Sequence, residues 1–505
     1  EGNRYQVLPF SWDSRSKEQG GQRWYPNYQF EDVKPNDRLH WQQALQNWNG
    51  MCADCHSDGL KRNFDVTYNA FSTEWDNINI GCQSCHVVDD KHGNSPTLTA
   101  HQSGQWHRMP EDKVATWQGK KRDPSAMDTC FGCHSFRTPV TDGISPKKPF
   151  LDQFVPTLIS KPFYFSDGQV KEEVYVYGSF LQSKMHQAGV QCIDCHDQHS
   201  MKLKVEGNGL CLQCHNPVNY QTELHTGHSL DSAGGQCVNC HMPQTTFMGV
   251  DDRRDHSFSI PRPRLSELLK TPNACINCHQ NKTKQWAAQA INKLHITTSP
   301  FEQAKLAFYQ LLDKGSLSPQ AHLALIDNDE LTEIHRASAL AMLPNSIKRI
   351  DDAMIKTWVT SEQPLIRLAA AQIGYAMTLA ERNKSYKQLL LDDYKAVRVS
   401  AAPHLLAADI TPTNTALTAF NELSTAGEVA SWRGEGSLNR SQIFLEQGRI
   451  TESISALKHA ITTDSYFDIS YLQLANVYRN INQLSQEKTW LEQGIKNNPT
   501  SGQLH

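Results

Sequence analysis

Fourteen cysteines stand in this 505-residue chain, all of them between Cys52 and Cys278. They form seven C-x-x-C pairs, and a histidine follows each pair at once. The pentapeptides are CADCH (Cys52, Cys55, His56), CQSCH (Cys82, Cys85, His86), CFGCH (Cys130, Cys133, His134), CIDCH (Cys192, Cys195, His196), CLQCH (Cys211, Cys214, His215), CVNCH (Cys237, Cys240, His241) and CINCH (Cys275, Cys278, His279). No cysteine is left over. C-x-x-C-H is the attachment pattern of c-type haem: two thiols add to the two vinyl groups of one porphyrin, and the following imidazole ligates the iron. Structural zinc takes two such pairs per ion, so an odd number of pairs fits it poorly. A disulfide framework gives no reason for a histidine at one fixed offset. The expectation is seven covalently bound haem c groups, with the fourteen cysteines as attachment points and the seven histidines as iron ligands. Haem c is attached outside the cytoplasm, which places the chain in the periplasm or on the cell surface.

The 22 histidines leave 15 beyond the seven in the motifs. Nine lie in or beside the cysteine-bearing part: His40, His92, His101, His107, His186, His199, His225, His228 and His256. Nine candidates for seven distal positions allow two imidazoles on every iron, which keeps the potential below that of a histidine–methionine pair. His199 stands three residues past His196, His92 six past His86, and His186 six before Cys192. His225 and His228 shortly precede Cys237, His256 lies in the proline-rich DHSFSIPRP, and His40 adjoins Trp41 with Trp48 nearby. For His101 and His107 only proximity speaks, and Met51, Met185 and Met242 read as packing. The fourth, fifth and sixth motifs begin 19 and 26 residues apart, too close for separate cores, so porphyrins must pack against one another as a chain of electron carriers.

From about Gln285 cysteine vanishes and Ala, Leu, Ile and Gln rise with helical periodicity. HRASALAML, IRLAAAQIG and VRVSAAPHL place Arg336, Arg367 and Arg398 31 residues apart each time, a HEAT-like repeat whose last copy Pro403 would kink. Residues 437–461 then match 470–495 at an offset of 34, the period of a tetratricopeptide repeat; Gly448 matches Asn482, and Leu457 matches Leu491. The tail histidines His295, His322, His335, His404, His459 and His505 read as solenoid residues. The expected fold is mainly α: a multihaem domain with little regular sheet over 1–285, HEAT-like repeats over 286–410 and tetratricopeptide-like repeats over 411–505. Solenoids offer surfaces to other proteins, so docking is expected of the tail.

The net charge of −4 and the absence of a basic stripe argue against nucleic acid, and no apolar run approaches a membrane span. Glu1 is not a start methionine, so the chain is expected to be processed or to begin inside a longer one.

The stretches GGQRWYP, HWQQALQNWNGMCADCHSDGLKRNFD, GSFLQSKMHQAGVQCIDCHDQHSMKLKVEGNGLCLQCH, GGQCVNCHMP, MGVDDRRDHSFSIPRP and TPNACINCH resemble a family of bacterial multihaem c-type cytochromes with C-terminal tetratricopeptide repeats. That resemblance implies an extracytoplasmic electron-transfer protein, mostly without an assigned enzyme activity. Family members usually carry a further C-x-x-C-H upstream of GGQRWYP, and His40 could have served it. Where they follow the second motif with GPGS and histidine, VVDDKHG stands here, which keeps His92. CVNCHMP and DHSF also resemble pieces of ammonia-forming cytochrome c nitrite reductases. The C-x-x-C-K of their catalytic haem is missing, and no tyrosine among Tyr164, Tyr175, Tyr177 and Tyr220 stands out as the cross-linked one of hydroxylamine-oxidising relatives. The leading expectation is electron transfer between redox partners or other multihaem cytochromes, with self-assembly into an oligomer or filament as one form, and no catalytic residue. The alternative is a reductase of a small nitrogen or sulfur compound at a five-coordinate haem, with Lys121, Arg122, Arg253 and Arg254 as nearby cations. A structural scaffold is the third.

Overall fold

The computed structural model describes residues 2–28, 31–86, 104–292, 299–406 and 414–505. It is about half helical, with six two-stranded sheets among the described residues. All six strand pairs are short and antiparallel. Two are held by facing tryptophans: Trp12 opposite Trp24, and Trp106 opposite Trp117, their rings edge to face at 5.3 and 5.6 Å. A mainly helical chain with little sheet is therefore what the sequence produces.

Up to residue 292 the described helices run to at most eight residues (Lys284–Ile291), and most have four or five. Helices that short are not stable by themselves. They are held by what they pack on, as expected of a chain wrapped around large groups. From Pro300 onward the helices lengthen, many to 13–16 residues, and their ends follow ordinary capping rules. Ser299 accepts from Glu302 N–H with Pro300 in the first turn, and Gly315 closes that helix at φ 77°. Thr378 and Glu381 form a capping box.

The 31-residue repeat has a visible physical cause. Arg367 bonds the carboxylate of Asp392 and the carbonyl of Ser361; Arg398 bonds Glu422 and the carbonyl of Asp392. Arg336 likewise reaches the carbonyl of Ile326, Gln363 and Asp329. Each arginine ties its helix to the preceding loop and to an acceptor 24–27 residues on, so the small residues after it can pack closely. Pro403 lies in a 3₁₀ turn, Ala402–Leu405, that ends the helix Lys395–Ala401.

Farther on, helices Gly434–Glu446 and Ile450–Thr463 recur as Asp468–Asn480 and Leu484–Asn497, every boundary shifted by 34. Gly448 and Asn482 occupy the same left-handed turn position, at φ 71° and 58°.

One apolar core runs without interruption from Met127 to Ala426. Phe150, Phe154, Ile159 and Phe180 thus pack into the same interior as Phe308, Leu340 and Leu368. Backbone links reinforce the joint: Ile159 N–H donates to Ser338 Oγ at 2.9 Å, and Lys395 N–H to Asp152 Oδ1 at 2.8 Å. The last helices return to the start of the chain. Arg38 bonds Glu435 and Asp464 and lies 4.2 Å over the Phe467 ring. The Trp432 indole rests on the backbone of Gly50. The tail therefore grips the cysteine-bearing part beside Phe150–Leu181, at Arg262 through Glu302, and on both sides of the first motif, where Thr463 also meets Asn69.

Candidate functional site

Each C-x-x-C-H pentapeptide is a single helical turn. The histidine N–H donates to the carbonyl of the first cysteine at 2.8–3.0 Å in six motifs: His56 to Cys52, His86 to Cys82, His134 to Cys130, His196 to Cys192, His215 to Cys211 and His279 to Cys275. The remaining pentapeptide, Cys237–His241, is one short helix. In a helical turn positions i, i+3 and i+4 share a face. Both thiols and the imidazole therefore converge on one side, as a porphyrin attached by two thioethers and ligated from below requires. None of the fourteen cysteines is paired in a disulfide.

The motifs also lie beside one another. Cys55 lies beside Cys133, Cys130 beside Cys192, and Cys211 beside Cys237. Cys195 lies within electrostatic reach of Cys214, Cys240 of Cys275 and Cys278, and Cys85 of Cys130. The first, third, fourth, fifth, sixth and seventh motifs thus form one continuous file, with the second beside the third.

Four histidines lying outside the motifs face a motif histidine. The ring centres and interplanar angles are 6.2 Å and 14° for His86 and His199, and 6.5 Å and 25° for His196 and His256. They are 6.2 Å and 15° for His241 and His225, and 5.9 Å and 29° for His279 and His228. These distances exceed a van der Waals stack, where carbon atoms sit about 3.5–4.0 Å apart. Two imidazoles sharing one metal, with metal–nitrogen bonds of about 2 Å, have ring centres roughly 6 Å apart. The pairs fit an iron between them.

Hydrogen bonds set the tautomers to match. Nδ1 faces a backbone carbonyl in His241 (Ser259 O, 3.0 Å), His256 (Arg254 O, 2.9 Å) and His228 (Thr226 O, 2.8 Å). A carbonyl only accepts, so Nδ1 donates and the Nε2 lone pair is left for a metal. Burial lowers the pKa of His134, His196, His215, His225, His241 and His256, which favours the neutral, ligating imidazole.

Ring contacts among the described residues give His56, His134 and His215 no second imidazole. His186 is half-buried, its ring 5.4 Å from Phe180, and His40 lies beside Trp41. His107 sits in the Gly104–His107 strand beside Gln118. His92, His101 and His295 lie outside the described residues. In the tail, both ring nitrogens of His322 are engaged, with Ser346 Oγ and Ala339 O, and His335 pairs with Thr332.

Sequence reasoning overlooked Arg62 and the partners of Arg122 and Arg254. The third residue of the pentapeptide is Asp54, Asp194 and Asn239 in the first, fourth and sixth motifs. Arg62 meets Asp54, Arg122 Nη1 meets Asp194 at 2.5 Å, and Arg254 meets Asn239 at 3.3 Å. Arg62 and Arg122 are almost wholly buried. The acid or amide inside these three pentapeptides was the available signal. Of the cations weighed as lining an open iron, Arg122 and Arg254 are thus engaged, and Arg253 pairs with Glu173 and Asp251 at 2.7 Å. Tyr220 was one of four tyrosines with nothing to separate them. Its ring stands edge-on between His215 and His225, 5.2 Å from each.

No helix among the described residues is long and apolar enough to cross a membrane. Residues 220–342 match the family model described as Cytochrome c552. The matched stretch holds CVNCH, CINCH, His225, His228 and His256, and it continues into the tail helices. No curated protein matches the chain. A solved structure titled "Crystal Structure of Outer Cell Wall Cytochrome OcwA" is similar at TM-score 0.38 and 16% identity, over 73% of this chain and 80% of that one. With the pentapeptides, the family match supports a multihaem c-type cytochrome that binds haem c covalently and takes part in electron transfer.

Proposed function

We propose that the chain is an extracytoplasmic electron carrier with seven haem c groups, attached through Cys52/Cys55, Cys82/Cys85, Cys130/Cys133, Cys192/Cys195, Cys211/Cys214, Cys237/Cys240 and Cys275/Cys278. His56, His86, His134, His196, His215, His241 and His279 are the proximal ligands. His199, His256, His225 and His228 complete the irons held by His86, His196, His241 and His279. His40, His92 and His186 are the candidates for the other three. The observation that carries this reading is the set of four imidazole pairs 5.9–6.5 Å apart.

When bound, haem c supplies a one-electron iron couple at each motif. The chain's part is to space these couples in a file, hold two neutral imidazoles on an iron so that its coordination barely changes between oxidation states, and bury the ligands to tune potential. Engagement of Arg122, Arg253 and Arg254 by the protein's own groups favours a carrier over a reductase. The tail, read as HEAT-like and then tetratricopeptide-like repeats, is proposed to dock redox partners or further copies of the chain, a filament included.

The experiment is electron paramagnetic resonance of the fully oxidised protein, with a haem count. Seven low-spin haems per chain are expected. A stoichiometric high-spin signal would overturn the pure carrier reading in favour of an open iron, to be assayed with nitrite and hydroxylamine.

A further inference from the structure

Between the first and third motifs lies an arginine whose surroundings are incomplete. Arg137 begins the strand Arg137–Pro139, three residues past His134, and pairs with Pro156 across the sheet. Its side chain is 11% exposed, and its guanidinium lies 4.0 Å over the fully buried Phe154 ring. Nε and Nη2 are both buried and hydrogen-bonded to nothing. The nearest carboxylate oxygen, Asp54 Oδ2, is 3.6 Å from Nη2 and is already bonded by Arg62. Asp54 Oδ1 is buried and unbonded as well. The guanidinium also lies beside the Cys55 thiol. Attachment of haem converts that thiol to a thioether, a weak acceptor that carries no charge, so Cys55 gives the two N–H groups no strong acceptor.

A buried guanidinium with two orphaned N–H groups is costly, and native interiors rarely leave it so. Its planar fork calls for an acceptor with two oxygens. Arg62 offers a contrast: the same carboxylate and that of Asp142 satisfy it from within the protein.

We propose that Arg137 is a carboxylate-binding residue, and that it holds a propionate of the haem attached at the first or the third motif. Arg137 is then a positioning residue: it orients that haem between Cys55 and Cys133 and makes its reduced, more negative state easier to reach. The inference rests on the haem reading above.

The test is a redox titration of the holoprotein followed by haem absorbance, for wild type, Arg137→Gln and Arg137→Lys, with haem per chain counted first. Haem at both motifs with Arg137→Gln lowering the midpoint of one haem, Arg137→Lys restoring it in part, and wild-type midpoints indifferent to added formate is the expected result. Midpoints unchanged in Arg137→Gln at full haem content would overturn the proposal and leave the haem reading standing. Wild-type midpoints that move with formate, in a manner Arg137→Gln abolishes, would make the acceptor a free anion and overturn the propionate assignment. Wild-type protein without haem at these two motifs would instead overturn the haem reading itself. If Arg137→Gln does not fold, Arg137→Lys decides: it keeps the charge and loses the fork, so a smaller downward shift is expected, and none would refute the role.

Discussion

The His86 and His199 rings stand 6.2 Å apart with planes 14° from parallel, although 113 residues separate them in the chain. The same relationship joins His196 with His256, His241 with His225 and His279 with His228. Replacing His199, His256, His225 or His228 singly by alanine is therefore expected to convert one haem from low to high spin and leave the others as they were. Paramagnetic resonance of each oxidised variant checks this. His107→Ala, whose ring lies beside Gln118 on a strand, is expected to leave the spectrum unchanged. A variant among the four that stays wholly low-spin would remove that pair from the assignment.

The seven helical turns that bring two thiols and an imidazole to one face were legible because the pattern that makes them is local. The tail was legible for a similar reason. A 34-residue offset read from Gly448 and Asn482 returns as helix boundaries displaced by 34. Pairing of imidazoles was not legible, because it depends on the path of the chain. His225 and His228 both precede Cys237, yet they face rings of different motifs. The helix Glu223–Thr226 ends at Gly227, φ 68°, and that left-handed residue turns His228 away from the direction of His225. His199 stands three residues past His196, yet its ring faces His86 of the second motif. The single core from Met127 to Ala426 was equally out of view, since composition changes near Gln285 while packing runs straight through.

Arg62 and Asp54 are a nearly inaccessible ion pair inside the first motif, with exposures of 3% and 8%. Removing one partner strands a buried charge, which costs about 3–5 kcal/mol, while replacing both by neutral groups of similar size costs much less. Arg62→Met is expected to destabilise the protein by roughly that amount, and Arg62→Met with Asp54→Asn by distinctly less. Denaturant unfolding of the three variants and wild type measures the coupling. Additive losses would show that the pair acts as two independent groups.

Acid is expected to loosen the tail through His404. Its ring packs on Tyr386 and against Gly374, and burial holds its pKa at about 4, below the ordinary 6.5. Above pH 6.5 the imidazole is neutral in both folded and unfolded chains, and the folded state keeps its full stability. Between 6.5 and about 4 only the unfolded chain takes the proton, so stability falls with pH, by on the order of 3 kcal/mol in total. Thermal unfolding followed by circular dichroism from pH 7 to 4 is expected to show a smaller loss for His404→Gln than for wild type. Equal slopes would mean that the ring is not buried as described.

Gly50 tests whether the tail supports the first motif. It lies in the one-turn helix Trp48–Met51, capped by Asn47 and leading directly to Cys52. A Cβ placed there would lie 2.6 Å from two ring carbons of Trp432, itself only 3% exposed. In an open helix, alanine for glycine would gain about 1 kcal/mol. Here the indole cannot withdraw without leaving the interior, and overpacking of this kind costs about 1–3 kcal/mol. The clash is expected to win. Gly50→Ala should lower the unfolding temperature and reduce haem attachment at Cys52 and Cys55, read by mass analysis of the haem peptide. Gly50→Ala with Trp432→Leu should recover most of both, because the smaller side chain clears the space the methyl needs. A Gly50→Ala protein with full haem content and unchanged stability would show that Trp432 does not seat the first motif, and that the tail holds this end of the chain through its other contacts, Arg38 with Glu435 and Asp464, Thr463 with Asn69, and His459 with Phe64.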